Sequence, residues 1–463
     1  MIMQEPQIRL KEKIGYSLGD TASNLFFQTF MLFLMYFYTD VFGLAAGAVG
    51  TMFLVTRVWD AFFDPIVGIV ADRTSTRWGK FRPYLLFLAV PFGLFGIAMF
   101  WAPNLALSGK MVYAYITYTL MMMIYSAINV PYSALMGVIT PNAMQRTVIS
   151  SFRFVAAFAG GLIVQGSVMT LVKKIGGTNE AVGWRVTMTL ISILAIALFL
   201  ITFLTTRERV APPKAQSTSL RRDLKDLLTN EAWLLIGFAT VMQLSFIALR
   251  NGAITYYFKY FVQDQTVAFL GKSVTYSYST LLSTFLISGT VMTILGAILT
   301  KWFTRLFDKR NSYVGFMIGA GLFSALFMFL RPQSIVLMFL FQIIASFCMG
   351  PLAVLQWSIY TDTADYGEWK YHRRATALIM AASLFALKLG LAFGGAVQGW
   401  LLNAYGFVAN QVQTEFALDG IRLMMSLFPA AGSLVAALFM IFYPLNNRKM
   451  EEIEKELNSR REA

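Results

Sequence analysis

The chain holds one cysteine and one histidine in 463 residues. A lone cysteine excludes disulfides and cysteine metal clusters within the chain. Cys348, set in the apolar run FQIIASFCMG, reads as a small apolar filler of a helix. His372 sits in the polar stretch YHRRA and reads as a solvated loop residue. Charge is scarce too. Only 13% of residues are charged, while 57% are hydrophobic and 15% aromatic; an average soluble domain carries about a quarter charged residues. That leaves too little polar surface to cover a water-soluble globule. No phosphate-binding loop, metal-ligand spacing or nucleophile–base arrangement is found. An enzyme reading therefore has almost no support, no resident cofactor is expected, and ATP-driven transport by this chain alone is disfavoured. No cleavable signal peptide is evident, since MIMQEPQIRLKEK leads straight into a long apolar segment.

What the chain does have is long apolar runs. One span needs ~20 apolar residues to cross a hydrocarbon core ~30 Å thick. Spans are expected at 14–38, 46–70, 82–102, 110–137, 148–172, 183–204, 231–261, 277–300, 312–330, 335–361, 374–402 and 423–443. The fold class is thus an all-α integral membrane protein with the lipid bilayer as its main partner. The stretch 205–230, TTRERVAPPKAQSTSLRRDLKDLLTN, carries a Pro-Pro pair and charge runs, marking a linker. It separates six spans in 1–204 from six in 231–446, with a polar tail at 447–463. The net charge of +14 raises the question of nucleic acid, but its placement answers it. Of 38 Lys and Arg, 26 fall on alternate loops and both ends, and 7 on the opposite loops. This asymmetry puts both termini in the cytoplasm, so the excess charge is topological. Two bundles of six suit a transporter that rocks about a midplane site. The basic turn ADRTSTRWGKFRP after span two is echoed after span eight by TKWFTRLFDKRNS. Asp72, Arg73 and Arg77 of the first turn are expected to brace helix ends as gating residues.

Ionisable groups inside spans cost ~2.5–3.5 kcal/mol on insertion scales and usually face a cavity or a partner. Asp60 and Asp64 in TRVWDAFFDP stand one helical turn apart on one face. Two such carboxylates repel unless one is protonated or a cation sits between them. Na⁺, Li⁺ or H⁺ suits a hard oxygen cage of this kind. Arg57, a turn earlier, offers the alternative of a buried Arg–Asp brace. Ser17, Asp20 and Asn24 share a face of span one that either lines a polar cavity or bonds a neighbouring helix. Ser126, Asn129 and Ser133 form a polar face in span four, where Pro131 frees carbonyls. Arg153, Arg250 and Lys388 are intramembrane cations, matched by three intramembrane acids. Lys388 comes from the opposite half to the aspartates. Arg250 lies beside Asn251 and an expected helix break at Gly252; a carboxylate anchor for substrate and a structural partner for an acid are both open. Trp59, Tyr125, Tyr132, Trp357, Tyr256 and Tyr257 are candidates for stacking on sugar rings.

Through IGYSLGD, FYTDVFG, RVWDAFFDPIVG, TRWGKFRP, NVPYSAL, DTADYGEWK and the Lys388 segment, the sequence resembles the glycoside–pentoside–hexuronide:cation symporter family. This is the melibiose-permease branch of the major facilitator superfamily. The resemblance implies twelve helices in two six-helix bundles of the bacterial inner membrane, and symport of a small-molecule sugar with Na⁺, Li⁺ or H⁺. No obligate protein partner is implied. Cation-site carboxylates fall on Asp60 and Asp64, with a hydroxyl on Ser126. Arg153 and Lys388 match functional positions, and Asp365, Tyr366 and Glu368 lie in a signature after span ten that resembles a gate brace. Where melibiose permeases carry sugar-gripping aspartates and a stacking tryptophan, this chain has Asn24, Asn129 and Ser133. That pattern is more similar to the pentoside and glucuronide transporters, and it would admit an anionic uronide with Arg250 nearby. An uncoupled facilitator or exchanger, a membrane sensor and a lipid or lysolipid carrier remain the rival readings.

Overall fold

A computed structural model describes residues 8–140, 142–209, 227–269, 272–371 and 376–462. His372 and most of the 205–230 linker lie outside these residues. The chain divides into two compact units, Met1–Ala215 and Gln216–Ala463.

The first unit holds α1 (Leu10–Tyr36), α2 (Ala46–Arg73), α3 (Arg82–Met99), α4 (Leu107–Ile139), α5 (Ala143–Gly176) and α6 (Glu180–Thr205). A π-helical turn, Phe37–Val41, closes α1. Helix α1 packs on α5 and α6, α3 on α4 and α6, and α2 on α4. Asn142 and Asn179 cap α5 and α6 by accepting from the backbone N–H three residues on, which satisfies a donor the helix cannot.

Its strongest non-helical feature is a strap made by the residues just after α6. Glu208 Oε2 accepts from the Lys80 amide at 2.8 Å, and Oε1 accepts from Phe81 and Arg82 at 2.7 and 3.0 Å. Those amides open α3, where the helix dipole and unpaired N–H groups favour an anion. Gly79 makes the approach possible. Its φ is +112°, and a Cβ there would stand 2.5 Å from Glu208 Oε1. One residue on, the Arg209 guanidinium holds Glu12 at 2.7 Å through both Nη atoms, and the Arg209 amide donates to the Val138 carbonyl at 2.8 Å. Glu12 raises the pKa of Arg209 above its ordinary range, chiefly by that hydrogen bonding.

The second unit holds α7 (Glu231–Tyr256), α8 (Tyr278–Ala325), α9 (Ile335–Tyr371), α10 (Thr376–Ala404), α11 (Glu415–Met425), α12 (Leu427–Ile441) and α13 (Asn447–Glu462). Helix α8 packs on α9, α7 on α10, and α12 on both α7 and α8. The tail helix α13 buries Met450, Ile453 and Leu457 against this core. It is pinned where Trp369 Nε1 donates to Glu456 at 2.7 Å and Arg460 donates to the Trp369 carbonyl at 3.1 Å.

Several expectations are corrected here. Spans 277–300 and 312–330 are joined by a tighter turn than expected: α8 is two helices that meet at Asp308, which alone has φ +61°, and the chain doubles back there, with the Phe303 and Phe316 rings 5.0 Å apart. The echo of the first basic turn is a tight helix-to-helix turn, and Lys309 beside it pairs with Asp362 of α9 at 2.8 Å. The twelfth span starts at Glu415 and breaks at Ser426. No break occurs at Gly252, because α7 continues to Tyr256 and then passes into a π-helical segment, Tyr257–Val262. That glycine is there for room: a Cβ would stand 2.0 Å from Gln398 Oε1. The segment after it pairs β1 (Gln265–Phe269) with β2 (Lys272–Tyr276) in an antiparallel hairpin. Asp365 and Glu368 follow the expected end of span ten at 361, on a stretch where α9 continues as a helix to Tyr371.

Counting α8 as two crossings and α11 with α12 as one gives twelve. Nine helices among the described residues are long and apolar enough to cross a membrane by composition alone. Helices α1 and α2, which carry Asp20, Asp60 and Asp64, are not among them.

Candidate functional site

Two polar clusters sit inside the first unit. The first is built on Asp20 of α1. Arg153 of α5 donates from Nε to Asp20 Oδ2 at 2.6 Å and from Nη2 to Oδ1 at 3.1 Å, a bidentate ion pair. Tyr132 of α4 places its hydroxyl 2.6 Å from Oδ2 and 2.8 Å from the Tyr16 carbonyl. The shorter, charge-assisted contact takes the proton. In return Tyr16 donates to the Tyr132 carbonyl at 2.9 Å. The two rings stack with centroids 4.8 Å apart, and the Arg153 guanidinium lies over both, 5.0 Å from Tyr132 and 5.5 Å from Tyr16. Gly19 explains how Tyr132 comes so near α1, since a Cβ there would stand 2.5 Å from its ring.

Around this pair the expected solute contacts are placed unevenly. Asn129 Oδ1 accepts from Ser23 of α1 at 2.7 Å, while its Nδ2 donates to the Tyr125 carbonyl at 2.9 Å. Asn24 turns back to the Asp20 carbonyl of its own helix at 2.9 Å. Ser133 is exposed. Lys388 is half-buried on α10 of the second unit. Arg250, also in the second unit, is buried and donates to Gln342 Oε1 at 2.7 Å. Of the aromatic candidates only Tyr132 joins the Asp20 cluster; Trp59 and Trp357 are 50% and 43% exposed, and Tyr256 packs on Phe407.

The second cluster is built on Asp60 of α2. Ser126 of α4 donates to Asp60 Oδ1 at 2.6 Å, joining two residues expected to act together. Asp60 is 1% exposed. Asp64 follows one turn on, half-buried, with Oδ1 shielded from solvent. Pro65 comes next and has no N–H to offer the Ala61 carbonyl one turn back. That oxygen therefore lacks its usual intrahelical donor. Arg57 lies within electrostatic reach of Tyr118 and Asp60. Tyr125 lies within electrostatic reach of Asp20, Asp60, Asp64 and Arg57, so it stands between the two clusters. The arrangement is a carboxylate and a hydroxyl in contact, with a second carboxylate one helical turn on. These are hard oxygen donors, the type that small cations prefer.

Residues 15–447 match the MFS/sugar transport protein family. The chain belongs to that family. The Inner membrane symporter YicJ of Escherichia coli (strain K12) is 37% identical to it over 98% of this chain and 96% of its own length. The isoprimeverose transporter of Lactiplantibacillus pentosus is 33% identical over 98% and 92%. Among solved structures, a D-xylose-proton symporter aligns with a TM-score of 0.61 over 94% of this chain and 96% of its own, at 15% identity. That last likeness shows the fold alone. Membership in the MFS/sugar transport family bears out the resemblance to glycoside–pentoside–hexuronide symporters and the all-α, major-facilitator-type fold. It makes the chain a multi-pass membrane transporter of small molecules rather than an enzyme.

Of the expected gating residues, Asp72 pairs with Lys80 at 3.1 Å, and Arg77 stacks on Trp78 at 4.1 Å. Arg73 is exposed at the end of α2, and Asp365 and Glu368 are half-buried on α9. Sequence reasoning missed Tyr16, Tyr118, Glu208 and the part played by Pro65. The signal for Glu208 was present in the acid among the arginines of TTRERV, set against the basic loop TRWGKFR. Nothing in one dimension pointed to Tyr16.

Proposed function

We propose that this chain is a secondary active symporter that carries a sugar, of the glycoside, pentoside or hexuronide class, with Na⁺ or H⁺ by alternating access. The observation that carries the reading is the buried Ser126–Asp60 contact, with Asp64 one turn away, in the same bundle as the Asp20–Arg153 pair. A cation between Asp60 and Asp64 removes the repulsion that otherwise forces one of them to stay protonated. Helix α4 then transmits occupancy. Ser126 touches the cation site, while Asn129 and Tyr132, on the next turns, touch α1 and Asp20. The sugar is bound by Asp20, Asn24, Asn129, Ser133 and Arg153, and Lys388 is the contact expected from the second half of the chain. Asp20 is already committed to Arg153, so the solute must exchange its own hydroxyls for part of that pair.

Domains at 1–204 and 231–446 form the two bundles, and both termini face the cytoplasm. Asp72, Arg73, Arg77, Asp365 and Glu368 brace helix ends on that face. Cation and sugar raise each other's affinity by the same factor. The test is uptake into proteoliposomes with and without an imposed Na⁺ or pH gradient, comparing the native chain with Asp64→Asn. Gradient-driven accumulation should appear in the native protein, whereas the variant should retain only downhill exchange. Uphill accumulation by Asp64→Asn would refute the cation assignment.

A further inference from the structure

The second unit contains a positive charge for which the described residues supply no counter-ion. Arg250 is 7% exposed near the end of α7. Its Nη2 is taken by Gln342, its guanidinium carbon lies 5.3 Å from the Phe327 ring centroid, and its Nε meets no acceptor. Two turns on, Tyr257 is fully buried, and its hydroxyl also has no hydrogen-bond partner. The Tyr257 ring lies 6.2 Å from Phe327 and 5.0 Å from Phe261. The guanidinium of Arg422 from α11 also lies over Phe261, at 5.2 Å. Its Nη1 donates to Asp419 at 2.9 Å and its Nη2 to the Met328 carbonyl at 2.7 Å, while its buried Nε donates to nothing. Tyr257 is within electrostatic reach of both arginines.

Three buried donors thus surround one pair of phenylalanine rings: two guanidinium N–H groups and a phenol. Asp419 neutralises Arg422 only, so the cluster keeps one net positive charge. A buried donor without an acceptor, and still more a buried charge without a partner, is costly. Water would supply acceptors but leave the charge. An anion supplies both.

We propose that Arg250, Tyr257 and Arg422 form a binding site for a monovalent anion, either a free chloride ion or the carboxylate of a solute. One net charge suits a singly charged occupant. Two N–H donors and one O–H donor suit a halide or one carboxylate oxygen. The chloride form goes beyond the sugar-symport reading; only the carboxylate form rests on it.

The test is thermal unfolding of the purified full chain in detergent, in sodium HEPES against sodium chloride at matched ionic strength and sodium. Chloride should raise the midpoint saturably by about 2–4 °C, the shift expected near ten-fold saturation. Arg250→Gln should abolish the response. Tyr257→Phe, which keeps the ring and is safer for folding, should raise the half-saturating concentration about ten-fold, the loss of one hydrogen bond. Sodium glucuronate replaces chloride in a second arm. A response to glucuronate alone, lost in the same variants, assigns the site to the solute's carboxylate. No response in either arm, or equal responses in the native chain and both variants, overturns the site. Failure of the symport reading would appear in gradient-driven uptake and would leave the chloride response standing.

Discussion

A bidentate Asp20–Arg153 pair inside a membrane bundle is stabilising only when every remaining polar atom is satisfied, because desolvation offsets much of the attraction. Here Tyr132 supplies the third donor, and its ring forms one wall under the guanidinium. Removing that hydroxyl alone is therefore informative. Tyr132→Phe keeps the stack on Tyr16 but deletes a hydrogen bond to a charged group, worth about 1.5–3 kcal/mol. We expect an apparent KM for sugar about ten-fold higher, with a smaller change in maximal rate, read as initial uptake rates. Unchanged kinetics would make Tyr132 a packing residue only. The aspartates and Arg153 were legible in the sequence because a charge in an apolar run is visible in one dimension. Tyr132 was visible only as one of 20 tyrosines. Its role depends on a contact across 112 residues and on Gly19 being small enough to permit it.

Apolar length made the crossings legible as elements, but the irregularities that shape them were hidden. The polar stretch between Thr300 and Ser312 reads as a loop, yet α8 keeps its helical hydrogen bonds on both sides and turns on one residue. Asp308 occupies a positive-φ conformation that costs about 1–3 kcal/mol outside glycine. It repays part of this as a cap, since its Oδ1 accepts from the Asn311 amide at 2.7 Å. Glycine removes the strain and costs only a few tenths at a cap, whereas valine keeps the strain and loses the cap. Asp308→Gly should accordingly stabilise by about 0.5–1 kcal/mol and Asp308→Val destabilise by about 2–4 kcal/mol, compared as thermal midpoints in detergent. A valine variant melting no earlier than the glycine variant would show that the turn carries no strain. Gly252 teaches the converse lesson. A glycine beside an arginine suggested a break, but the residue serves close packing on Gln398.

Across the molecule, the uneven distribution of Lys and Arg carries the orientation. With both termini inside, Lys11→Cys and Lys455→Cys, each in a Cys348→Ser background, should resist a membrane-impermeant thiol reagent in intact cells and react after permeabilisation. Labelling of either in intact cells would reverse the topology. Composition made the two-bundle organisation readable, but not what fastens the connecting stretch. The Glu208 nest and the Glu12–Arg209 pair tie Arg209 to residues near 12, 80 and 138. These ties close within the first unit and involve nothing later in the chain. During synthesis, then, the leading bundle can fasten these helix ends once Arg209 has emerged, with about half of the polypeptide still unmade. The clasp can thus be complete before the second unit is.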